Sequence, residues 1–262
     1  ARALGDEKLY PWMVENVLTN TQRAKLEFAD QRWHVSASPT GGVYKQGEKI
    51  TVELNVQTEG QDRGAKIRYT LDGSKPTANA TTYSQPLTIT RDTTLRAQCF
   101  LDGKLLPGHT AMARFVFLGG DNQPAPGLRY HLYQGSWGAL PQFADLKPVK
   151  TGVASDADLQ AGSRGDAYAL VFEGYLDVSK AGEYTFFTTS DDGSALHING
   201  QPVVDNDGTH GPQQRSGQIR LDEGKHLIRI EYFQAGGGQE LQVHWQGPGM
   251  DKQPIPANVL SH

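Results

Sequence analysis

The chain has 262 residues, 37% of them hydrophobic and 21% charged, a balance that excludes a disordered tail and a long coiled coil. Its formal net charge is −4, but the split is uneven: 15 basic and 13 acidic residues up to Pro126, then 10 and 16, which leaves the second half near −6. That balance excludes nucleic acid as a partner, because counterion displacement needs clustered Lys and Arg, and no run of about 18 apolar residues is present to insert in a membrane.

Residues 1–32 read as a helical segment: Leu9, Trp12, Met13, Val17, Ala24 and Phe28 recur at helical spacing behind Asp6 and Glu7. Two readings stand, the tail of a preceding catalytic domain or a helix packed on its own sandwich. Over residues 33–118 the period changes to two. Ile50, Val52, Leu54 and Val56 share one face, followed by Ile67 and Tyr69, Leu87 and Ile89, then Leu95, Ala97 and Cys99, which predicts an antiparallel β-sandwich. The lone cysteine, Cys99, excludes an internal disulfide and is read as a small buried hydrophobe. Asp72-Gly73 and Asp102-Gly103 are read as hairpin turns.

Residues 119–127, GGDNQPAPG, have the composition of a linker. Residues 128–262 carry short aromatic strands around Tyr130, Phe172, Phe186, Leu196, Ile230 and Trp245, a second sandwich or barrel. Asn199-Gly200 is the strongest hairpin signal in the chain. With 30 Gly and 14 Pro spread among the strands, the expected fold class is all-β, with one short N-terminal helical segment.

Two stretches carry family resemblances. The string from Ile67 to Lys104, with LDGSKPT, Tyr83, Pro86 and Arg96-Ala97, resembles the immunoglobulin-like module C-terminal to chitobiase and β-hexosaminidase barrels. The resemblance implies a spacer or scaffold of immunoglobulin-like fold. From Gly127 onward, GLRYHLYQGSW, VFEGYLDVSKAGEYTF, the SDDGS loop and HLIRIEYFQAGGGQELQVHW together resemble the protective-antigen-type (PA-fourteen) family. Members occur in glycosidases, adhesins and toxins, and several bind carbohydrate, some through calcium held by adjacent aspartates.

The resemblance assigns Asp191 and Asp192 to that aspartate pair, and the chemistry agrees, since a hard divalent cation takes oxygen ligands and two carboxylates supply charge. It places a third ligand, usually an Asn amide, at Gln234, and backbone contacts around Gly237. Asp-Asp-Gly-Ser is equally a good turn sequence, so an ion site and a metal-free acidic turn both stand. Asp205, Asn206 and Asp207 read alone as a turn; beside the aspartate pair they are expected to line the same carbohydrate pocket. His210, Tyr232 and Trp137 each read first as core or strand filler; His210, and Tyr232 or Trp137 if exposed, could instead add a face for a sugar ring.

No nucleophile elbow, H-E-x-x-H pair, Walker loop or dinucleotide fingerprint appears, so no catalytic residue is assigned. The expected role is a non-catalytic accessory region of an exported glycan-degrading enzyme such as a β-N-acetylhexosaminidase. Its partners would be a carbohydrate polymer and the parent's catalytic domain, its cofactor calcium, and its location secreted, periplasmic or cell-surface. The rival expectation is a pair of structural domains that bind no glycan.

Overall fold

A computed structural model describes residues 33–58, 64–119, 124–161, 165 and 167–262; the helix expected over residues 1–32 lies outside them. The described chain is all-β, with strands forming two sandwiches and only three short 3₁₀ turns.

The first sandwich contains β1 (Trp33–Ser38), β2 (Gly41–Lys45), β3 (Ile50–Thr58), β4 (Lys66–Thr70), β5 (Thr81–Thr82), β6 (Leu87–Ile89), β7 (Thr93–Leu101), β8 (Lys104–Leu105), β9 (Gly108–His109) and β10 (Ala111–Leu118). One sheet has the order β6-β3-β1-β9, and facing it stand β2-β10-β7-β4-β5. Alternation along β3 and β7 sends Val52, Leu54, Leu95, Ala97 and Cys99 inward to meet Trp33 and Phe115. Val52, Leu95 and Phe115 are fully buried, each stabilising the fold by about 1.5–3 kcal/mol relative to exposure. Val56, expected on the same face, is 38% exposed near the strand's end and lies outside this core.

The two aspartyl-glycine turns part company. Asp102-Gly103 closes a true hairpin between Leu101 and Lys104, with φ of 49° and 77°. Asp72 instead folds its carboxylate back on Ser74, accepting from its N–H at 2.9 Å and its hydroxyl at 2.6 Å. The chain then wanders before pairing again at Thr81 and Thr82, so the expected hairpin is a longer loop.

The second sandwich contains β11 (Leu128–Gln134), β12 (Lys150–Ala154), β13 (Tyr168–Val178), β14 (Gly182–Asp191), β15 (Ser194–Ile198), β16 (Gln201–Asn206), β17 (Gln213–Leu221), β18 (Gly224–Gln234), β19 (Glu240–Gly247), β20 (Met250–Pro254) and β21 (Leu260–Ser261). One layer runs β12-β11-β13-β18, extended through β15 and β16; the other runs β17-β14-β19-β20. Leu170, Phe172, Phe186, Leu196, Ile230, Tyr232 and Trp245 fill the space between them.

The sandwiches join edge to edge. Val43 of β2 pairs with Lys225 of β18, so a sheet of the second sandwich continues into the first. The Asn199-Gly200 turn, with φ of 52° and 81°, docks there: Arg114 N–H donates to the Asn199 carbonyl at 2.9 Å. Gly41, at φ 107°, permits this approach, since a Cβ would lie 2.4 Å from the Arg114 carbonyl oxygen.

Candidate functional site

Three loops meet at one end of the second sandwich. Strand β14 ends at Asp191 and β15 begins at Ser194; β16 ends at Asn206 and β17 begins at Gln213; β18 ends at Gln234 and β19 begins at Glu240. The Asp191–Asp192 peptide is cis, and the two residues are 9% and 2% exposed. Asp192 ties the loops together: Oδ1 accepts from His210 N–H at 3.2 Å and Oδ2 from Ala235 N–H at 2.8 Å. The backbone of the first loop packs closely on its neighbours. A side chain at Gly193 would strike Phe233 at 2.5 Å and the Gly208 backbone at 2.9 Å.

Tyr232 and Gln234 brace the pair from beneath. The Tyr232 hydroxyl lies between the Asp191 carbonyl oxygen at 2.5 Å and Gln234 Oε1 at 2.7 Å, either of which takes its single proton. Gln234 Nε2 donates to the Gly238 carbonyl at 2.7 Å. Burial first, then the neighbouring Tyr168, Asp191 and Asp192, pushes the Tyr232 hydroxyl far above its ordinary pKa, so it stays a neutral donor. Gly238 packs on the Asp191 carboxylate, where a Cβ would stand 2.8 Å from Oδ2.

This arrangement fits a hard cation. Neither aspartate has a Lys, Arg or His ion-pair partner among the described residues, and the Asp191 carboxylate accepts no hydrogen bond from them. Two carboxylates so far removed from water are costly without a compensating charge, and carboxylate oxygens are ligands that calcium takes. His, Cys, Asp and Glu alone form no group of three suited to a metal among the described residues, so further ligands would be amide or hydroxyl side-chain oxygens, backbone carbonyls or water.

The structure divides the remaining expected residues. His210 reaches the site through its N–H, while its ring is held by the Gly211 and Asn206 carbonyls at 2.9 and 3.0 Å. Gly237 is exposed on the neighbouring loop at φ 86° with open space around it. Gln234, expected as a third ligand, is 1% exposed; its Oε1 lies 2.7 Å from the Tyr232 hydroxyl and its Nε2 donates to the Gly238 carbonyl. Its extra methylene lets it span from Tyr232 to Gly238.

Asp205, Asn206 and Asp207 do not converge on the aspartate pair. Asn206 is turned into a buried polar cluster, donating to Ser190 Oγ at 2.9 Å and accepting from Gln213 Nε2 at 2.8 Å; Ser190, Ser194 and Thr188 complete it. Alternation sends Asp205 to the other side of β16. Asp207 Oδ1 accepts from Leu140 N–H at 2.7 Å, fastening the loop after β11. Both acids line a separate cavity with Phe143, His197 and Arg229. Tyr232 is fully buried and offers no ring to a sugar. Trp137 is half-buried and packs, like Ala235, against the cluster of Tyr133, Phe143, Ala169, Val171 and Phe233. The sequence marks Gly238 only as part of the GGGQ run, and it gives no sign of the parts played by Gly193 and the Tyr232 hydroxyl.

The family model of the chitobiase/beta-hexosaminidase C-terminal domain matches residues 39–106. The curated anti-sigma-I factor RsgI3 of Acetivibrio thermocellus is 29% identical over 96 residues, 36% of this chain and 15% of that protein, so the chain spans about 15% of that relative's length. Among solved structures, a PA14 sugar-binding domain from an RTX adhesin is 20% identical, with a TM-score of 0.44 over 53% of this chain and 99% of that one. An anti-sigma factor domain-containing protein from Clostridium clariflavum is 14% identical, with a TM-score of 0.43 over 76% of each chain. The epithelial adhesin 9 A domain from Candida glabrata, in complex with Galb1-4GlcNAc, is 13% identical, with a TM-score of 0.43 over 54% of this chain and 91% of that one. The family model of the PA14 domain matches residues 124–258, more than half of the 262 residues, and the chain therefore belongs to the PA14 domain family.

Proposed function

We propose that residues 128–262 form a carbohydrate-binding domain whose site is the Asp191–Asp192 pair with a calcium ion, and that residues 33–118 are its immunoglobulin-like spacer. The observation that carries the reading is the pair of buried carboxylates without a cationic partner among the described residues, capped by a glycine where a side chain would collide. Membership of the PA14 domain family agrees with it. When bound, the ion would supply open coordination positions that two vicinal sugar hydroxyls can fill in place of water. Asp191 and Asp192 would hold it, Asp192 keeping the three loops in register through His210 and Ala235. Tyr232 and Gln234 fix the loop that carries Gly238.

On this reading the unit belongs to an exported, multidomain glycan-degrading enzyme and holds its catalytic domain near polymer. A weak site joined to a catalyst raises effective concentration without a new catalytic contact. The test is retention of the full chain on immobilised polysaccharides and a glycan array, with calcium, with chelator, and as Asp191→Asn. Calcium-dependent retention that the substitution abolishes is expected. Retention unaffected by chelator and by the substitution would overturn the calcium site, and failure to bind any glycan would overturn the function.

One observation favours a second, purely structural reading: the continuous sheet from β18 into β2 makes the two sandwiches a brace. A full-length parent protein whose soluble and insoluble substrates lose activity equally on removal of residues 128–262 would favour it.

A further inference from the structure

A second cleft, of about 480 Å³, opens where the two sandwiches meet, away from the aspartate pair. Its floor is the outer face of the second sandwich, and the register makes it a charged row: Arg129 of β11 lies opposite Glu173 of β13, which lies opposite Arg229 of β18, which lies opposite His197 of β15. Arg114 of β10 forms the wall contributed by the first sandwich, beside Gly200, and His262 also lines the cleft.

The charge in this cleft is not balanced. Among the described residues Glu173 is the one acidic side chain lining it; one carboxylate oxygen pairs with the Arg229 guanidinium and the other lies 3.7 Å from His131 Nε2. Arg229 is further held by Glu231 at 2.6 Å. Arg114 and Arg129 make no ion pair and no side-chain hydrogen bond with any described residue. His262 Nδ1 is buried without a hydrogen-bond partner among them. Two unpaired guanidinium forks and an orphaned ring nitrogen thus share a concave site of ligand size, one fork from the first sandwich and the other from the half of the chain whose net charge is near −6.

We propose that this interdomain cleft binds an oxyanion carried on a saccharide, the carboxylate of a uronic acid or a sulfate ester, with Arg114 and Arg129 as its ligands. Guanidinium forks match the planar, bidentate geometry of such groups, which an isolated ammonium does not. A nucleic-acid backbone fits poorly, because it needs a string of cations and the surrounding half is acidic. The saccharide part rests on the glycan-binding reading above; the oxyanion part stands on the cleft. Because Arg114 comes from one sandwich and the row from the other, the site exists only while the Arg114–Asn199 contact keeps them docked.

The test is calorimetric titration of the full chain in chelator, so that the aspartate pair contributes nothing, with a uronic-acid trisaccharide, its methyl ester, a sulfated neutral trisaccharide and inorganic sulfate. Binding of the uronate or the sulfated sugar, at least ten-fold weaker for the ester and for Arg114→Gln and Arg129→Gln, is expected; which of the two binds names the anion. Unchanged melting of both variants ties the loss to the cleft. Equal binding of acid and ester, binding of inorganic sulfate alone, full affinity in both variants, or no binding at all would overturn the proposal. Calcium-dependent retention of neutral glycans is unaffected by any of these outcomes, so the two sites fail separately.

Discussion

At the scale of single residues, the site depends on what is missing as much as on what is present. Gly238 carries no positive φ, so alanine suits its backbone, but the new methyl would stand 2.8 Å from Asp191 Oδ2. Gly238→Ala is expected to weaken calcium binding at least ten-fold while leaving the melting temperature in chelator unchanged; equal affinity would show that the glycine does not shape the site. Tyr232→Phe removes the hydroxyl shared by the Asp191 carbonyl and Gln234, and is expected to cost about 1 kcal/mol in a urea titration performed without calcium. The aspartate pair itself is legible, because two neighbouring acids before Gly-Ser are conspicuous in one line of text. Its supports are not. The partners of Asp192 sit 18 and 43 residues away, and no local pattern announces that Asn206 turns inward to Ser190 while Asp205 and Asp207 turn outward.

Among the elements, the Asn199-Gly200 hairpin was readable as a turn but not as a hub. Asn199 is fully buried; its Oδ1 accepts from Leu227 N–H at 3.0 Å and its side-chain nitrogen meets His226 Nδ1 at 2.9 Å. With Asn199 Nδ2 donating to Nδ1, His226 Nε2 donates to the Asp222 carbonyl at 2.8 Å, which sets the neutral tautomer. Burial, the largest influence, holds His226 below its ordinary 6.5, against the opposing Asp222 carbonyl and the charges of Asp222 and Asp177. An unfolded chain therefore takes up a proton that the folded one resists, so this contribution to stability is full above pH 6.5 and is lost as pH falls from there through the folded-state value. Urea midpoints at pH 8 and pH 5.5 are expected to separate in the native chain and to separate less in His226→Gln. His244, held down by burial and then by Lys252, leaves part of the slope in place. Equal separation in both chains would mean that His226 is not the group responsible. Strand periodicity found most of both cores because alternating burial is a local signal. The long loop after Asp72 escaped it because an aspartate folded onto Ser74 looks the same in sequence as a hairpin turn.

For the whole molecule, the consequential feature is the seam between the sandwiches, built from one β2–β18 pairing, the Arg114–Asn199 bond and the Thr40 hydroxyl on the Arg220 carbonyl at 3.2 Å. Calorimetry is expected to show one cooperative transition for residues 33–262. Gly41→Val, strained at φ 107° and driven into the Arg114 carbonyl, is expected to split it in two. A native single transition in that variant would show that the seam does not couple the two cores. No composition or spacing rule disclosed this seam, since it joins residues 85 apart through backbone groups. The central claim, that Asp191 and Asp192 hold a divalent cation, is tested most directly by thermal melts of the full chain with calcium, with chelator, and with calcium after Asp191→Asn. Calcium at about 100 times its dissociation constant should add about 2.7 kcal/mol, a rise of several degrees, and the substitution should abolish it. Native curves that coincide with and without calcium would contradict the claim.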